Sequence, residues 1–318
     1  MSTPDNRLAL VFPGQGSQSV GMLAEIAASR PEVRVTFAEA SEVLGFDLWQ
    51  LVQDGPEDNL NQTHNTQPAM LAAGVALWRV WQAAGGPRPA VMAGHSLGEY
   101  SALVCAGALA FADAVALVAE RGRLMQQAVP AGAGAMAAVL GLDDEAVRAA
   151  CAEAAQHEVV EAVNFNAPGQ VVIAGAKVAV ERAIAACKAR GAKRAVPLPV
   201  SVPSHCALMQ PAAERLAERL ATVALQTPAI PVLHNVDVAT HAEPAAIRDA
   251  LARQLYRPVR WVETVQAMVA QGITVTVECG PGKVLAGLNK RIHKELAALP
   301  LYDESTLQAA LVAARGEG

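Results

Sequence analysis

The sequence predicts an α/β protein in which a large domain is built on a parallel sheet and is interrupted by a smaller α+β unit. From residue 8 to residue 128, short apolar runs typical of buried strands alternate with helix-forming stretches. This alternation favours a parallel sheet with helices on both faces. Between about residues 130 and 202 the order of strands and helices changes. The chain has 318 residues, which is enough for one large domain and one small one.

The first part of the large domain is predicted to begin with a buried strand, Leu8–Phe12, that ends in the glycine-rich loop 13–18. Asn65 and Thr66 are suited to cap the helix that follows. The remaining elements are a helix from about Pro68 to Ala83, a strand at 89–93 and helices near 97–106 and 112–128.

The smaller unit is predicted to have the order β-α-β-β-α-β, which is that of a ferredoxin-like subdomain. Asp143 and Asp144 are suited to cap its first helix. We place an inserted ferredoxin-like α+β subdomain at residues 130–202, so that residues 1–129 and 203–318 form the large domain. The predicted elements are strands at 135–142, 159–163, 171–174 and 192–200, helices at 144–156 and 178–190, and a turn at 164–169.

The chain then returns to the large domain through helices, two strands and a Gly-Pro-Gly loop. The last three residues are expected to be loose. The predicted helices are 207–222, 243–254, 261–271 and 284–295, the strands are 232–233 and 273–278, and the loop is 280–282.

Composition excludes several classes of protein. The net charge of −5 does not favour nucleic acid or an anionic membrane as a partner. No apolar stretch reaches the roughly 18 residues that span a bilayer, and we expect no secretory signal at the N-terminus. The five cysteines form no CxxC pair and the seven histidines have no paired ligand spacing. We therefore predict reduced thiols, a cytoplasmic location and no metal site.

The pentapeptide Gly94-His95-Ser96-Leu97-Gly98 lies between the predicted strand 89–93 and a helix. A Gly-x-Ser-x-Gly sequence in this context is typical of the nucleophile elbow of an α/β-hydrolase-like domain. The sharp turn presents the serine hydroxyl, and a side chain at either glycine would crowd it. Ser96 is thus the candidate nucleophile.

A serine nucleophile needs a general base. His205 is the best candidate because it lies on a proline-containing loop where the inserted unit returns the chain, and loops at such junctions commonly line clefts. From the residues alone, a helix-capping or surface role for His205 is an equal alternative. His95 is next to Ser96, so it is badly placed to be its base but suited to line the cleft. Cys206 is next to His205 and a poor partner for it, and the other histidines are interpreted as structural.

The third group of a triad is harder to find. Asp113, Asp143 and Asp144 lie between Ser96 and His205 in the sequence, but each is better explained as a helix cap. A backbone carbonyl can therefore be the group that orients His205. One oxyanion donor is expected at the amide of Leu97, and a second in the loop 14–16. A dinucleotide phosphate loop is the alternative there, but Ser19 occupies the place of the third glycine.

Six short segments in sequence order resemble one family. They are Phe12–Gln18, Thr66–Ala69, Gly94–Glu99, Glu120–Gly122, Val202–His205 and Gly280–Lys283. From about Leu8 to beyond Lys290, the chain resembles the malonyl-CoA:acyl carrier protein transacylases of bacterial fatty acid synthesis.

The resemblance implies a role for each of six residues. Ser96 would be the nucleophile and His205 the base. The main-chain carbonyl of Gln254 would orient His205, and Arg121 would hold the free carboxylate of the malonyl group. The amides of Gln15 and Leu97 would form the oxyanion hole. A guanidinium fork suits the Arg121 role because it binds a carboxylate through two parallel hydrogen bonds.

The resemblance also implies malonyl-CoA and acyl carrier protein as partners, with coenzyme A thioester as a substrate and no retained cofactor. Acyl carrier proteins are acidic, so docking needs a basic patch. Patch A comprises Lys188, Arg190, Lys193 and Arg194. Patch B comprises Lys283, Lys290, Arg291 and Lys294. Two ordinary solvated faces are an equal alternative. A serine esterase or thioesterase, a polyketide-type acyltransferase and an inactive scaffold remain alternative functions.

Overall fold

The computed structural model describes residues 5–200 and 202–316. Residues 1–4, Ser201 and residues 317–318, and with them most of the expected loose C-terminus, lie outside the described residues. The strands are β1 Asp5–Phe12, β2 Pro89–Gly94, β3 Gly134–Leu140, β4 Val160–Ala167, β5 Gln170–Ala176, β6 Arg194–Pro197, β7 Val232–Leu233, β8 Val275–Cys279 and β9 Ala297–Leu301.

The helices flank these strands in sequence and in space. They are α1 Ala24–Ser29, α2 Pro31–Leu44, α3 Leu48–Asp54, α4 Glu57–Leu60, α5 Thr63–Ala83, α6 Gly98–Cys105, α7 Phe111–Ala128, α8 Asp144–Ala155, α9 Lys177–Ala189, α10 Gln210–Ala221, α11 Pro244–Gln254, α12 Trp261–Ala270, α13 Val284–Ile292 and α14 Glu304–Arg315, with a short 3₁₀ helix at Ala207–Met209. Within the described part of the chain, no helix combines the length and the apolar character needed to cross a bilayer.

The larger sheet has the order β7-β2-β1-β8-β9, and all four pairings are parallel. Central strand β1 is completely buried from Leu8 to Phe12. Leu8, Leu10 and Phe12 pack into a core with α2, α5 and α7, whereas Ala9 and Val11 pack towards α12 and α13. The α/β fold with a parallel sheet covered on both faces is therefore confirmed.

The smaller sheet has the order β4-β5-β3-β6, and its pairings are antiparallel. With α8 and α9 packed on one face, this is the predicted ferredoxin-like arrangement. The other face carries Met136, Val163 and Val172, which contact Cys206 of the returning chain. Strand β4 is also hydrogen-bonded to the large domain. The main-chain N–H of Phe165 donates to the carbonyl of Val259 at 3.0 Å. The boundaries of the large domain, at residues 1–129 and 203–318, and of the inserted subdomain, at residues 130–202, stay predictions.

Several elements differ from the prediction. The predicted turn at 164–169 is shorter, because β4 continues to Ala167. Helix α5 begins at Thr63, and Pro68 lies inside it rather than at its start. A turn at the carbonyl of Gln62, which accepts from the amides of Asn65 and Thr66, forms ahead of the proline. The predicted strand 192–200 shortens to Arg194–Pro197, and the last predicted helix ends at Ile292.

Candidate active site

Ser96 lies on the sharp turn between β2 and α6, with a φ of 52° in the left-handed region. The turn is possible because the residues two positions before and two positions after Ser96 are glycines. A Cβ on Gly94 would lie 1.9 Å from the carbonyl carbon of Gly98, and a Cβ on Gly98 would lie 2.0 Å from the carbonyl oxygen of Phe12. The end of β1 therefore packs directly against the elbow, which brings the loop 13–18 beside Ser96.

A chain of two hydrogen bonds connects Ser96 to His205 and to the main chain of α11. Ser96 Oγ lies 2.7 Å from His205 Nε2, and His205 Nδ1 lies 2.7 Å from the carbonyl oxygen of Gln254. A carbonyl can only accept, so Nδ1 carries the proton and Nε2 is left with a lone pair for the serine hydroxyl. The sequence-predicted serine, histidine and carbonyl are thus brought together.

The ring of His205 is almost completely buried, with 2% of the residue exposed. Burial, followed by the nearby positive charge of Arg121, lowers the pKa of His205 from 6.5 to about 3. The imidazole is therefore neutral at physiological pH. A neutral imidazole is the form that can accept a proton from a serine hydroxyl.

Arg121 projects from α7 and has 1% of its surface exposed. Its Nη1 donates to Gln67 Oε1 at 2.9 Å, and its Nη2 donates to Gln254 Oε1 at 3.0 Å and lies 3.4 Å from Ser96 Oγ. Nε is buried without a hydrogen-bond partner. An incompletely satisfied buried guanidinium this close to the serine is suited to bind a carboxylate. From the residues alone, an arginine beside Glu120 and Arg123 on a helix would be expected to be solvated, but the structure buries it.

The pocket at Ser96 has a volume of about 440 Å³. Gln15, Leu97 and His95 line it from the large domain, and Met136 and Asn164 line it from the antiparallel sheet. Within residues 5–200 and 202–316, the amides of Gln15 and Leu97 donate to no protein acceptor. Two free amides beside a nucleophile are suited to an oxyanion.

His95 also lies in this pocket, but its contact is with the antiparallel unit. Its Nε2 is 2.8 Å from Asn166 Oδ1 on β4. Burial lowers the pKa of His95, which favours the neutral ring. His95 therefore ties the elbow to the smaller sheet.

The other sequence candidates lie apart from this chemistry. The Cys206 thiol donates to the carbonyl of Pro203 at 3.1 Å, and burial raises its pKa to about 12. Asp143 caps α8 by accepting from the amide of Ala146. In the described ranges no group of three or more His, Cys, Asp or Glu residues is arranged to hold a metal ion.

Sequence reasoning missed a buried network behind the serine. Asn235 Oδ1 accepts from the amide of Ser96 at 2.7 Å, and the Gln254 side chain donates to the carbonyl of Ser96 at 2.9 Å. Glu99, which is fully buried, accepts from the main-chain N–H of Asn235 and from the side-chain Nε2 of Gln254. Gln67 and Glu99 each lie within one of the six family segments, but nothing local in the sequence signals their partners.

Nearly the whole chain is similar to known acyltransferases. The acyl transferase domain family matches residues 9–311. A malonyl CoA-acyl carrier protein transacylase of Salmonella typhimurium is 63% identical over 305 residues, which cover 96% of this chain and 99% of the relative. A solved acyl carrier protein S-malonyltransferase from Vibrio cholerae is 64% identical with a TM-score of 0.93, covering 95% of this chain and 99% of that one.

A second solved structure is a malonyl-transacylase in complex with a type II PKS acyl-carrier protein. It is 60% identical to this chain with a TM-score of 0.96, and the match covers 96% of this chain and 99% of that one. The chain therefore belongs to the acyl transferase family and, within it, to the malonyl-CoA–acyl carrier protein transacylases.

Proposed function

We propose that this protein moves a malonyl group from malonyl-CoA to the phosphopantetheine thiol of acyl carrier protein through a malonyl-Ser96 intermediate. The observation that carries the proposal is one pocket in which Ser96 Oγ lies 2.7 Å from His205 Nε2 and 3.4 Å from Arg121 Nη2. A nucleophile with its base and an unpaired cation within reach of the same short acyl group fit a malonyl thioester. The names of the relatives at 63% and 64% identity support the same substrate.

In the first half-reaction, Ser96 Oγ attacks the thioester carbonyl while its proton passes to His205 Nε2. The carbonyl of Gln254 holds Nδ1–H and stabilises the imidazolium that forms. The amides of Gln15 and Leu97 donate to the oxyanion, and losing one such donor typically costs about 3 kcal/mol. When the tetrahedral intermediate collapses, the C–S bond breaks and the proton on His205 goes to the coenzyme A thiolate.

In the second half-reaction, the phosphopantetheine thiol of the carrier protein takes the place of coenzyme A. His205 Nε2 accepts the thiol proton as sulfur attacks the ester carbonyl of malonyl-Ser96. The C–O bond then breaks, and the proton returns to Ser96 Oγ. The same groups act in reverse order, as microscopic reversibility requires.

Arg121 supplies the preference for malonyl. Its guanidinium is buried, and its acceptors Gln67 and Gln254 are uncharged, so the malonyl carboxylate is the anion that the site lacks. An acetyl group would leave the cation without that anion. A site built for a polar group can reject an analogue without it by as much as about 10⁴-fold.

Coenzyme A thioester is a substrate in this reaction and no retained cofactor is required. We place the enzyme in the cytoplasm, where malonyl-CoA and carrier protein would both be available. Fatty acid synthesis is the pathway we favour, on the Val202–His205 segment, while the neighbour solved with a type II PKS carrier protein keeps polyketide synthesis as the second candidate.

The test is to mix the protein with malonyl-CoA or acetyl-CoA and weigh the intact chain. We expect a mass increase of one malonyl group, located on Ser96 by peptide mapping and strongly favoured over acetyl. A thioesterase would instead release free acid without a stable adduct, and a scaffold would remain unmodified with both substrates. Adding carrier protein should then return the chain to its original mass.

A further inference from the structure

Glu99 is a buried carboxylate that the proposed reaction does not use. It lies in the first turn of α6, three residues after Ser96, and is completely inaccessible to solvent. Its Oε2 accepts from the main-chain N–H of Asn235 at 3.0 Å and from Gln254 Nε2 at 2.9 Å. Its Oε1 lies 2.5 Å from His234 Nδ1. Each oxygen of the Glu99 carboxylate therefore has at least one hydrogen-bond partner, so the buried group is satisfied within the protein.

The side chain of Gln254 connects this carboxylate to Arg121. Nε2 of Gln254 donates to Glu99 and to the carbonyl of Ser96, while Oε1 accepts from Arg121 Nη2. These contacts determine how the amide is oriented, because the flipped amide would turn a donor towards the guanidinium and an acceptor towards two oxygens. One amide thus separates a buried anion from a buried cation.

Within residues 5–200 and 202–316, Arg121 Nε has no hydrogen-bond partner, and Nη1 and Nη2 donate to the uncharged side chains of Gln67 and Gln254. A direct ion pair would occupy the fork that the substrate carboxylate needs. Burial lowers the pKa of Arg121, and Tyr100 and then the negative charge of Glu99 oppose that shift. Because Glu99 acts through Gln254, it offsets part of the positive charge of Arg121 without a direct contact to the guanidinium. The guanidinium can then still bind the substrate carboxylate.

We propose that Glu99 is a positioning residue that acts through Gln254 as a counter-charge to Arg121 and limits how tightly the pocket holds the malonyl carboxylate. The inference rests on the proposed function, since it concerns binding of that carboxylate. A transferase must release the acyl group as well as load it. Binding that is equally strong in the ground and transition states does not increase turnover. A counter-charge held behind the cation weakens such uniform binding.

Glu99→Gln removes the charge with little change in shape. Oε1 faces only His234 Nδ1, so the new NH₂ group can take that position and donate to the other tautomer of His234. The remaining oxygen can still accept from Asn235 and Gln254. In that tautomer the His234 proton is on Nε2, which is buried without a hydrogen-bond partner among the described residues. The substitution therefore leaves one buried N–H unsatisfied.

The experiment measures binding of malonyl-CoA and acetyl-CoA by calorimetry in a Ser96→Ala background, which prevents acylation. We expect Glu99→Gln to tighten malonyl-CoA binding about tenfold and to leave acetyl-CoA binding within about twofold of its starting value. In the Ser96→Ala/Arg121→Ala background the same substitution should change neither affinity. Equal weakening of both ligands, or an effect that persists without Arg121, would overturn the proposal.

Glu99→Asp is the matched variant, because it keeps the charge and shortens the side chain. Its ratio of malonyl to acetyl affinity should remain that of the parent. If Glu99→Gln does not fold, a shift of this ratio in Glu99→Asp would still count against a charge effect. Failure of the proposed function is recognised separately, because the unsubstituted chain would then form no malonyl adduct.

Discussion

The two sheets contribute to one pocket in different ways. The parallel sheet brings Ser96 to the carboxyl end of β2, and the loop after β1 beside it. The antiparallel sheet contributes pocket wall, with Met136 on β3 and Asn164 on β4. The reactive groups thus come from loops, strand ends and helices of the large domain (the first unit), whereas the inserted subdomain (the second unit) contributes residues of the pocket wall. This difference indicates that chemistry and pocket shape can be changed separately.

The largest effect is expected from Ser96→Ala, which should reduce acylation by malonyl-CoA about 10⁵-fold or more. Rapid-quench measurement of acyl-enzyme formation would show it, with the melting temperature checking the fold. Ser204→Ala is the matched control, because Ser204 lines the same pocket. A comparable loss in the control would mean that the pocket, not the nucleophile, had been damaged.

Much of the first unit could be predicted from the sequence because its signals are local. The elbow needs Gly94 and Gly98 at fixed positions, and the close contacts that exclude a Cβ there are the reason. Leu8–Phe12 of β1 and most of β2 are continuous apolar runs, as expected for strands buried on both faces.

Two kinds of feature could not be predicted. Strand β9 contains Pro300, which argues against a central strand, but β9 is at the edge of the sheet, where a proline is tolerated. The network behind Ser96 depends on pairs far apart in the chain, such as Glu99 with Gln254 and Ser96 with Asn235. No local pattern carries such a pairing, so the side-chain role of Gln254 was missed although its carbonyl was implied by the family resemblance.

Arg121→Ala should separate substrate choice from chemistry within the first unit. We expect malonyl transfer to fall about 10³-fold, while acetyl-CoA becomes relatively better because no buried cation is left without a counterion. Arg123→Ala is the control, since Arg123 is exposed and pairs with Glu120 on the same helix. An unchanged preference for malonyl in Arg121→Ala would place the carboxylate site elsewhere.

Ile173→Ala tests the second unit. Ile173 is completely buried in the core between β5 and the helices α8 and α9, so its truncation should cost about 3 kcal/mol of unfolding free energy. Acylation of Ser96 at low temperature should change little if this unit provides shape rather than chemistry. Urea unfolding and acyl-enzyme formation would be compared with Val178→Ala, a truncation of an exposed side chain on α9.

The pH dependence of stability should report on His205. Its pKa is about 3 in the folded chain, against 6.5 for an unperturbed histidine, which is the value expected once the chain is unfolded. The unfolded chain therefore takes up a proton first, so this contribution to stability is complete above pH 6.5 and is lost as pH falls towards 3.

Relative to His205→Gln, which does not titrate, the unsubstituted chain should lose about 1.4 kcal/mol more stability between roughly pH 7.5 and 5.5. Urea unfolding at the two pH values would measure the difference. Parallel curves for the two proteins would mean that His205 takes up its proton in the folded state near its ordinary pKa.

The smallest effect is expected from charge reversal in patch A or patch B of this protein. This experiment tests which of the two units binds the carrier protein. Lys193 and Arg194 of patch A are exposed at the start of β6, and the chain that follows β6 lines the pocket through Leu198 and Val200. In patch B, Lys290 and Lys294 are exposed at the end of α13 and after it.

Lys193→Glu and Lys290→Glu would each be tested at low salt in both half-reactions. At the true docking patch, the variant should transfer malonyl to carrier protein about threefold more slowly than the parent at low salt. This difference should disappear at high salt, because the attraction between exposed charges is then screened in both proteins. Acylation by malonyl-CoA should be unchanged. If the effect belongs to Lys193, the antiparallel unit both shapes the pocket and receives the partner. If both half-reactions slow together, the patch contacts coenzyme A instead, and the division of roles between the two sheets would need to be redrawn.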